Sequence, residues 1–128
     1  MPGREPFQYA IVRVVPHVER GECLNAGVVL FCRPLRFLGA RVALDAAALH
    51  ALAPDCAPDA VREQLAAVEA VAAGADGGGP VAALPASERF HWLVAPSSTI
   101  VQPSPVHTGL TDDPAAELDR LFKTLVER

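Results

Sequence analysis

The chain has 128 residues, of which 51% are hydrophobic, and it carries a formal net charge of −4. This length suits a single domain that needs neither disulfide bonds nor a structural metal. Residues 1–44 carry a net charge of +3 and the rest carry −7, which disfavours extended binding of nucleic acid. No apolar run is long enough to span a membrane, and no signal-like segment follows the charged start of the chain. We therefore expect a cytoplasmic protein without membrane association.

The first 44 residues have the pattern of three β-strands. Residues 7–15 and 24–32 are rich in aromatic and β-branched side chains, and residues 36–44 resume the pattern. Pro16 and Pro34 interrupt it, and the connections between the segments are short. The three segments predict an antiparallel meander.

Two helices are predicted after the meander. Asp45 begins a short helix that Pro54 ends, and residues 58–73 place apolar side chains at helical spacing. Gly74 is suited to end this longer helix. Residues 74–80 are rich in glycine and are predicted to form a flexible loop, which lacks the Gly-Lys-Ser/Thr ending of a phosphate-binding loop.

The last third of the chain is predicted to contain a further strand and a terminal helix. Phe90, Trp92 and Val94 alternate with their neighbours, which favours a fourth strand with Trp92 in the core. Residues 99–102 form a short extended segment, and Asp113 precedes a proline and a helical apolar repeat. Together the elements predict an α+β domain. In it, an antiparallel sheet of four to five strands carries the 58–73 helix and the C-terminal helix on one face.

Polar side chains gather in two stretches, residues 17–25 and residues 97–107. Neither stretch matches a named catalytic motif. Both place polar groups at positions where a small domain usually has apolar core residues, which makes them candidates for a site. We expect at least two of Arg13, Glu19, Glu22 and Asn25 to bond with residues 97–109. The candidate polar site comprises Arg13, Glu19, Glu22, Asn25, Arg89, Ser98, Gln102, Ser104 and His107.

Each candidate group has a chemical interpretation and a structural one. Glu19 and Glu22 suit acid/base chemistry or a divalent cation, although short polar loops often carry Glu for solubility. His107 with nearby serines suits proton transfer, or it fixes the proline-rich loop by a hydrogen bond. Arg89 suits an anion clamp, or it pairs with Glu88 or with a carboxylate in a loop. The histidines and the three cysteines have no metal-ligand spacing, so we predict no metal and no cofactor.

Several motifs together resemble one known family: residues 9–16, 19–22, 25–31, 89–90, Trp92 and residues 98–109. They are similar to the bacterial family called domain of unknown function 3037, over roughly residues 7 to 126. The resemblance implies no established activity. It implies small bacterial proteins, often encoded beside a kinase-like protein similar to the toxin component of a persistence module. Family members favour Arg after the Ala-Pro pair where this chain has Ser97, which weakens the case for an anion site here.

Two hypotheses for the function follow, and the sequence leaves open whether the protein is an enzyme. The first is a non-enzymatic accessory or regulatory protein that binds a partner protein, with the kinase-like neighbour as the partner that the resemblance suggests. The second is a small hydrolase or nuclease-like enzyme that acts on a phosphate-bearing substrate. In it, the two Glu side chains would act as acid/base groups or metal ligands, Arg13 and Arg89 as anion clamps and His107 as a proton carrier.

Overall fold

The computed structural model describes residues 3–97 and 99–127. The strands are β1 (Glu5–Val14), β2 (Leu24–Cys32), β3 (Phe37–Val42), β4 (Val101–Pro103) and β5 (His107–Thr111). The α-helices are α1 (Ala46–Leu52), α2 (Pro58–Ala73), α3 (Ala86–Val94) and α4 (Pro114–Leu125). Short 3-10 segments span Val18–Arg20 and Asp76–Ala83.

The strands form one antiparallel sheet in which β2 lies between β3 and β1. On its other side β1 pairs with both β4 and β5, at successive positions along its length. The α+β class and the five-stranded sheet are as predicted. The predicted meander is also confirmed, because β1, β2 and β3 pair in chain order.

Alternate residues of the central strand β2 belong to two separate cores. Val29 and Phe31 pack with buried residues of α1, α2 and α3. Val28 and Leu30 pack with Leu118 and Leu121 of α4. Because successive side chains of a strand point to opposite faces, α2 and α4 cover opposite faces of the sheet. The expectation that both helices share one face is wrong. Because β2 is apolar on both faces, each face of the sheet must be covered by a helix.

Residues 86–94 form the helix α3, so the prediction of a fourth strand at Phe90 is wrong. Phe90 and Leu93 are buried and lie three residues apart, and Ala86 lies one turn before Phe90. This helical stripe fits the core better than the alternating pattern does. Trp92 points away from the core and is 54% exposed, so its predicted core position is also wrong.

The ends of the helices follow the local signals in the sequence. The side chains of Asp45 and Asp113 accept hydrogen bonds from backbone N–H groups in the first turns of α1 and α4. Gly74 ends α2 with a φ angle of 69°, a conformation that favours glycine. The segment that follows contains 3-10 turns and lies against α2, where a Cβ atom on Gly78 would meet Val71. Its flexibility stays a prediction.

Within the described residues, no helix is both long enough and apolar enough to cross a membrane.

Candidate functional site

Strands β4 and β5 form one edge of the sheet, and a β-bulge at Ser104 separates them. Val12 pairs with Pro103, whereas Tyr9 pairs with His107, so the β4–β5 segment has one residue more than β1. Ile11 N–H donates to Ser104 Oγ at 2.8 Å, and Ser104 N–H donates to the Ile11 carbonyl at 2.8 Å. The Ser104 hydroxyl also donates to the Pro105 carbonyl at 2.9 Å. Ser104 is buried, and its role is to hold the bulge.

The extra residue determines which way the side chains after it point. Gln102 lies opposite Arg13, and His107 lies opposite Tyr9. Paired residues share a face, and Arg13 and Tyr9 share one because they are four residues apart on β1. Gln102 and His107 are five residues apart and would point to opposite faces of a regular strand. The bulge brings both to the face that α4 covers in part.

Arg13 is the one member of the predicted polar network that contacts the described part of residues 97–109. Its Nη2 donates to the Pro103 carbonyl at 3.3 Å, and its buried Nε has no partner among the described residues. The amide side chains of the two residues paired with Arg13 on the neighbouring strands bond to other groups. Asn25 Nδ2 donates to the Leu125 carbonyl at 3.1 Å, and Gln102 Nε2 donates to the Thr99 carbonyl at 2.7 Å.

Among the described residues, the glutamates of the 17–25 stretch do not join this group. There, the prediction that at least two of the four residues bond with residues 97–109 is met by Arg13 alone. Glu22 pairs with Arg20 at 2.6 Å, and this hydrogen bond raises the pKa of Arg20. Glu19 is exposed. The physical reason is the strand order: β1 lies between β2 and β4, so residues on β2 and β4 are two strand spacings apart, about 9–10 Å.

Arg89 lies on α3 and binds backbone carbonyls. It donates to the Leu84 carbonyl at 2.6 Å and to the Ala72 carbonyl near the end of α2 at 3.4 Å. Among the described residues, Arg89 forms no ion pair with Glu88 or with a loop carboxylate, so that predicted pairing is wrong there. Ser98 lies outside the described residues. In the described ranges, no three His, Cys, Asp or Glu side chains lie close enough together to hold a metal ion.

The structure also contains a cavity that sequence reasoning missed, with a volume of about 380 Å³. Its floor is the α2-covered face of β1 and β2, and its walls are α2, α3, residues 95–97, Thr99 and residues 101–103. Trp92 stands at this cavity, which we call the α2–α3 cavity. The predicted strand placed Trp92 in the core, so an exposed aromatic side chain beside a cavity was not expected. The cavity is lined by Ala10, Val12, Val29, Gln64, Ala67, Val68, Trp92, Leu93, Ala95, Pro96, Ser97, Thr99, Val101, Gln102 and Pro103.

A family model described as "Protein of unknown function (DUF3037)" matches residues 9–126. The chain belongs to this family. The match covers all of the sheet except the first four residues of β1, together with both polar stretches and the α2–α3 cavity. No curated protein and no solved structure matches the chain. Membership of this family therefore assigns no activity to the chain.

We expect the variant His107→Ala to lower the free energy of unfolding by only about 0.5–1 kcal/mol. His107 is exposed, and its ring lies 5.2 Å from the ring of Tyr9, centroid to centroid. Stacking of this kind contributes roughly that amount, and within the described part of the chain the imidazole makes no hydrogen bond. Urea unfolding of the variant measures the difference. A loss above 2 kcal/mol would indicate a buried partner and contradict the exposed position.

Proposed function

We propose that this family member is a non-enzymatic accessory or regulatory protein that binds a partner protein along the outer edge of β5. The observation that carries the proposal is the composition of this edge. In the described chain β5 pairs with β1 alone. Its sequence, His-Thr-Gly-Leu-Thr, contains no Lys, Arg, Asp or Glu and no proline. Proteins usually protect edge strands with such residues, because free N–H and C=O groups pair with other chains.

The backbone groups that point outward from the sheet edge belong to Thr108 and Leu110. Both the N–H and the C=O of Ile11 point to the β4–β5 side. Because these directions alternate along an antiparallel strand, Tyr9 and Phe7 also point to β5, and their partners His107 and Gly109 point back. Thr108 and Leu110 therefore direct their N–H and C=O groups outward. The Leu110 carbonyl accepts a hydrogen bond from Arg4 Nη2 at 3.4 Å, which is consistent with this direction.

The part of the sheet around β5 is also poorly covered. Pro6, Gln8, Thr108 and Leu110 are exposed, and Leu110 has 55% of its surface accessible. The opposite edge differs, because α2 and α4 both contact β3 and every residue of β3 is partly buried. An extended segment of a partner protein suits the β5 edge: its backbone would pair with Thr108 and Leu110, and an apolar side chain would cover Leu110.

The kinase-like protein that the family resemblance suggests is the first partner to test. We expect the two purified proteins to bind, and we expect Thr108→Pro to weaken the complex about tenfold or more, ~1.4 kcal/mol. Proline removes the outward N–H, and proline is tolerated where the N–H of an edge strand faces solvent. Isothermal titration calorimetry measures both dissociation constants.

The matched control is Thr108→Ala, which shortens the same side chain and keeps the N–H. This variant should bind the partner within about threefold of the native protein, ~0.6 kcal/mol, and thermal melts should show that both variants are folded. Equal binding by the proline variant and the native protein would refute pairing at β5. If neither that neighbour nor any protein copurified from the native locus binds, the partner-binding proposal fails.

The hydrolase or nuclease-like alternative is not the proposal that the geometry favours. It requires Glu19, Glu22, Arg89 and His107 to converge on one substrate. In the described residues Glu22 is paired with Arg20, and Arg89 is bonded to the carbonyls of Leu84 and Ala72. His107 stacks on Tyr9 at the β5 edge. No specific observation supports an assembled constellation of these groups.

A further inference from the structure

We propose that the α2–α3 cavity binds an uncharged, largely apolar small molecule. This inference is independent of partner binding, because no residue of β5 lines the cavity. The volume of about 380 Å³ lies within the range of roughly 300–1,000 Å³ that small-molecule sites occupy. The sheet, two helices and the chain leading into β4 all contribute walls, so the cavity is a concave site rather than a flat patch.

Small side chains create the space. Ala10, Val12 and Val29 form a buried apolar floor, and Leu93 closes it on the α3 side. Ala67 of α2 faces this space with only a methyl group. A ligand in the cavity would remove the exposed apolar surface of Trp92 and Ala67 from water, at roughly 25 cal/mol for each Å² buried.

The lining determines the chemical class of the ligand. All fifteen lining residues are uncharged. An ionised group in the cavity would lose hydration without meeting an opposite charge, which is costly. The lining thus selects against anions and cations and favours a neutral molecule.

Polar groups at the rim are few, and most of them bond to one another. The Thr99 hydroxyl donates to the Val101 carbonyl at 2.7 Å, and Ser97 Oγ lies 3.2 Å from Thr99 Oγ. The Gln102 amide nitrogen donates to the Thr99 carbonyl at 2.7 Å. A neutral, largely apolar ligand suits a lining in which so few polar groups are free. Exposed Trp92 supplies an aromatic surface beside it.

The probe for the test is N-phenyl-1-naphthylamine, a neutral aromatic amine with one N–H group. Trp92 is the only tryptophan in the chain, so its fluorescence reports occupancy of the cavity directly. We expect saturable binding that changes the Trp92 emission. We also expect Ala67→Phe, which fills the cavity, to raise the dissociation constant of the probe about tenfold or more.

The matched control is Ala66→Phe. Ala66 is the neighbouring exposed residue on α2 and does not line the cavity, so this variant should bind the probe within about twofold of the native protein. A sulfonated anilinonaphthalene should bind about tenfold more weakly than the neutral probe, because the lining has no cation. Thr108→Pro should leave probe binding unchanged. Absence of saturable binding, equal loss in both phenylalanine variants, or preference for the sulfonated probe would each overturn the proposal.

Discussion

Phe90→Ala should lower the free energy of unfolding by about 3–5 kcal/mol, the range for a large aromatic side chain removed from a core. Phe90 is 1% exposed, and its ring lies 5.2 Å from that of Phe31 on β2. It joins α3 to the core on the α2-covered face of the sheet. The variant would lose this packing and leave a cavity beneath α3. Urea unfolding followed by far-UV circular dichroism measures the change.

The matched control is Trp92→Ala, which removes an even larger aromatic side chain from the same helix. Because Trp92 is 54% exposed, we expect it to cost about 1 kcal/mol or less. The pair of variants also distinguishes a helix from a strand. In a strand, Phe90 and Trp92 would share one face and both losses would be large. A greater loss for Trp92→Ala than for Phe90→Ala would contradict the orientation of α3.

Ser104→Ala should lower the free energy of unfolding by about 1–3 kcal/mol, the cost of leaving a buried polar group without its partner. The substitution removes the oxygen that accepts from Ile11 N–H at 2.8 Å. It also removes the donor to the Pro105 carbonyl. The loss should be local, so the amide of Ile11 should exchange with solvent faster in the variant than in the native protein.

The control for this experiment is Ser97→Ala, at an exposed serine in the same connection. It should change the free energy of unfolding by about 0.5 kcal/mol or less. Hydrogen exchange followed by NMR gives the residue-level measurement. If Ser104→Ala leaves both the stability and the Ile11 amide exchange unchanged, the hydroxyl does not hold the bulge.

Local sequence signals were sufficient for most of the secondary structure. The strands β1, β2 and β3 follow from apolar runs that prolines interrupt, and α1 and α4 begin at aspartates that accept capping hydrogen bonds. Leu65 and Leu121, which belong to the apolar repeats of the two predicted helices, are buried at 2% and 6% exposure. These features depend on neighbours within a few residues, which the sequence presents directly.

The candidate site was harder to predict, because its members meet only through long-range pairing. Arg13 and Gln102 become neighbours because β1 and β4 pair, and the same strand order keeps the 17–25 stretch apart from them. The two-residue alternation around Phe90 was ambiguous, since a short apolar run fits either a strand or a helix. Packing against Phe31 favours the helix.

By itself the sequence determined the α+β class, the first three strands, the ends of the main helices and the two polar stretches. Only the tertiary structure decided which face each side chain occupies. One extra residue between Ser104 and His107 reverses the alternation and puts His107 beside Tyr9. The two apolar faces of β2 place α2 and α4 on opposite sides of the sheet. The α2–α3 cavity arises where small side chains from distant segments meet, a coincidence that no local pattern encodes.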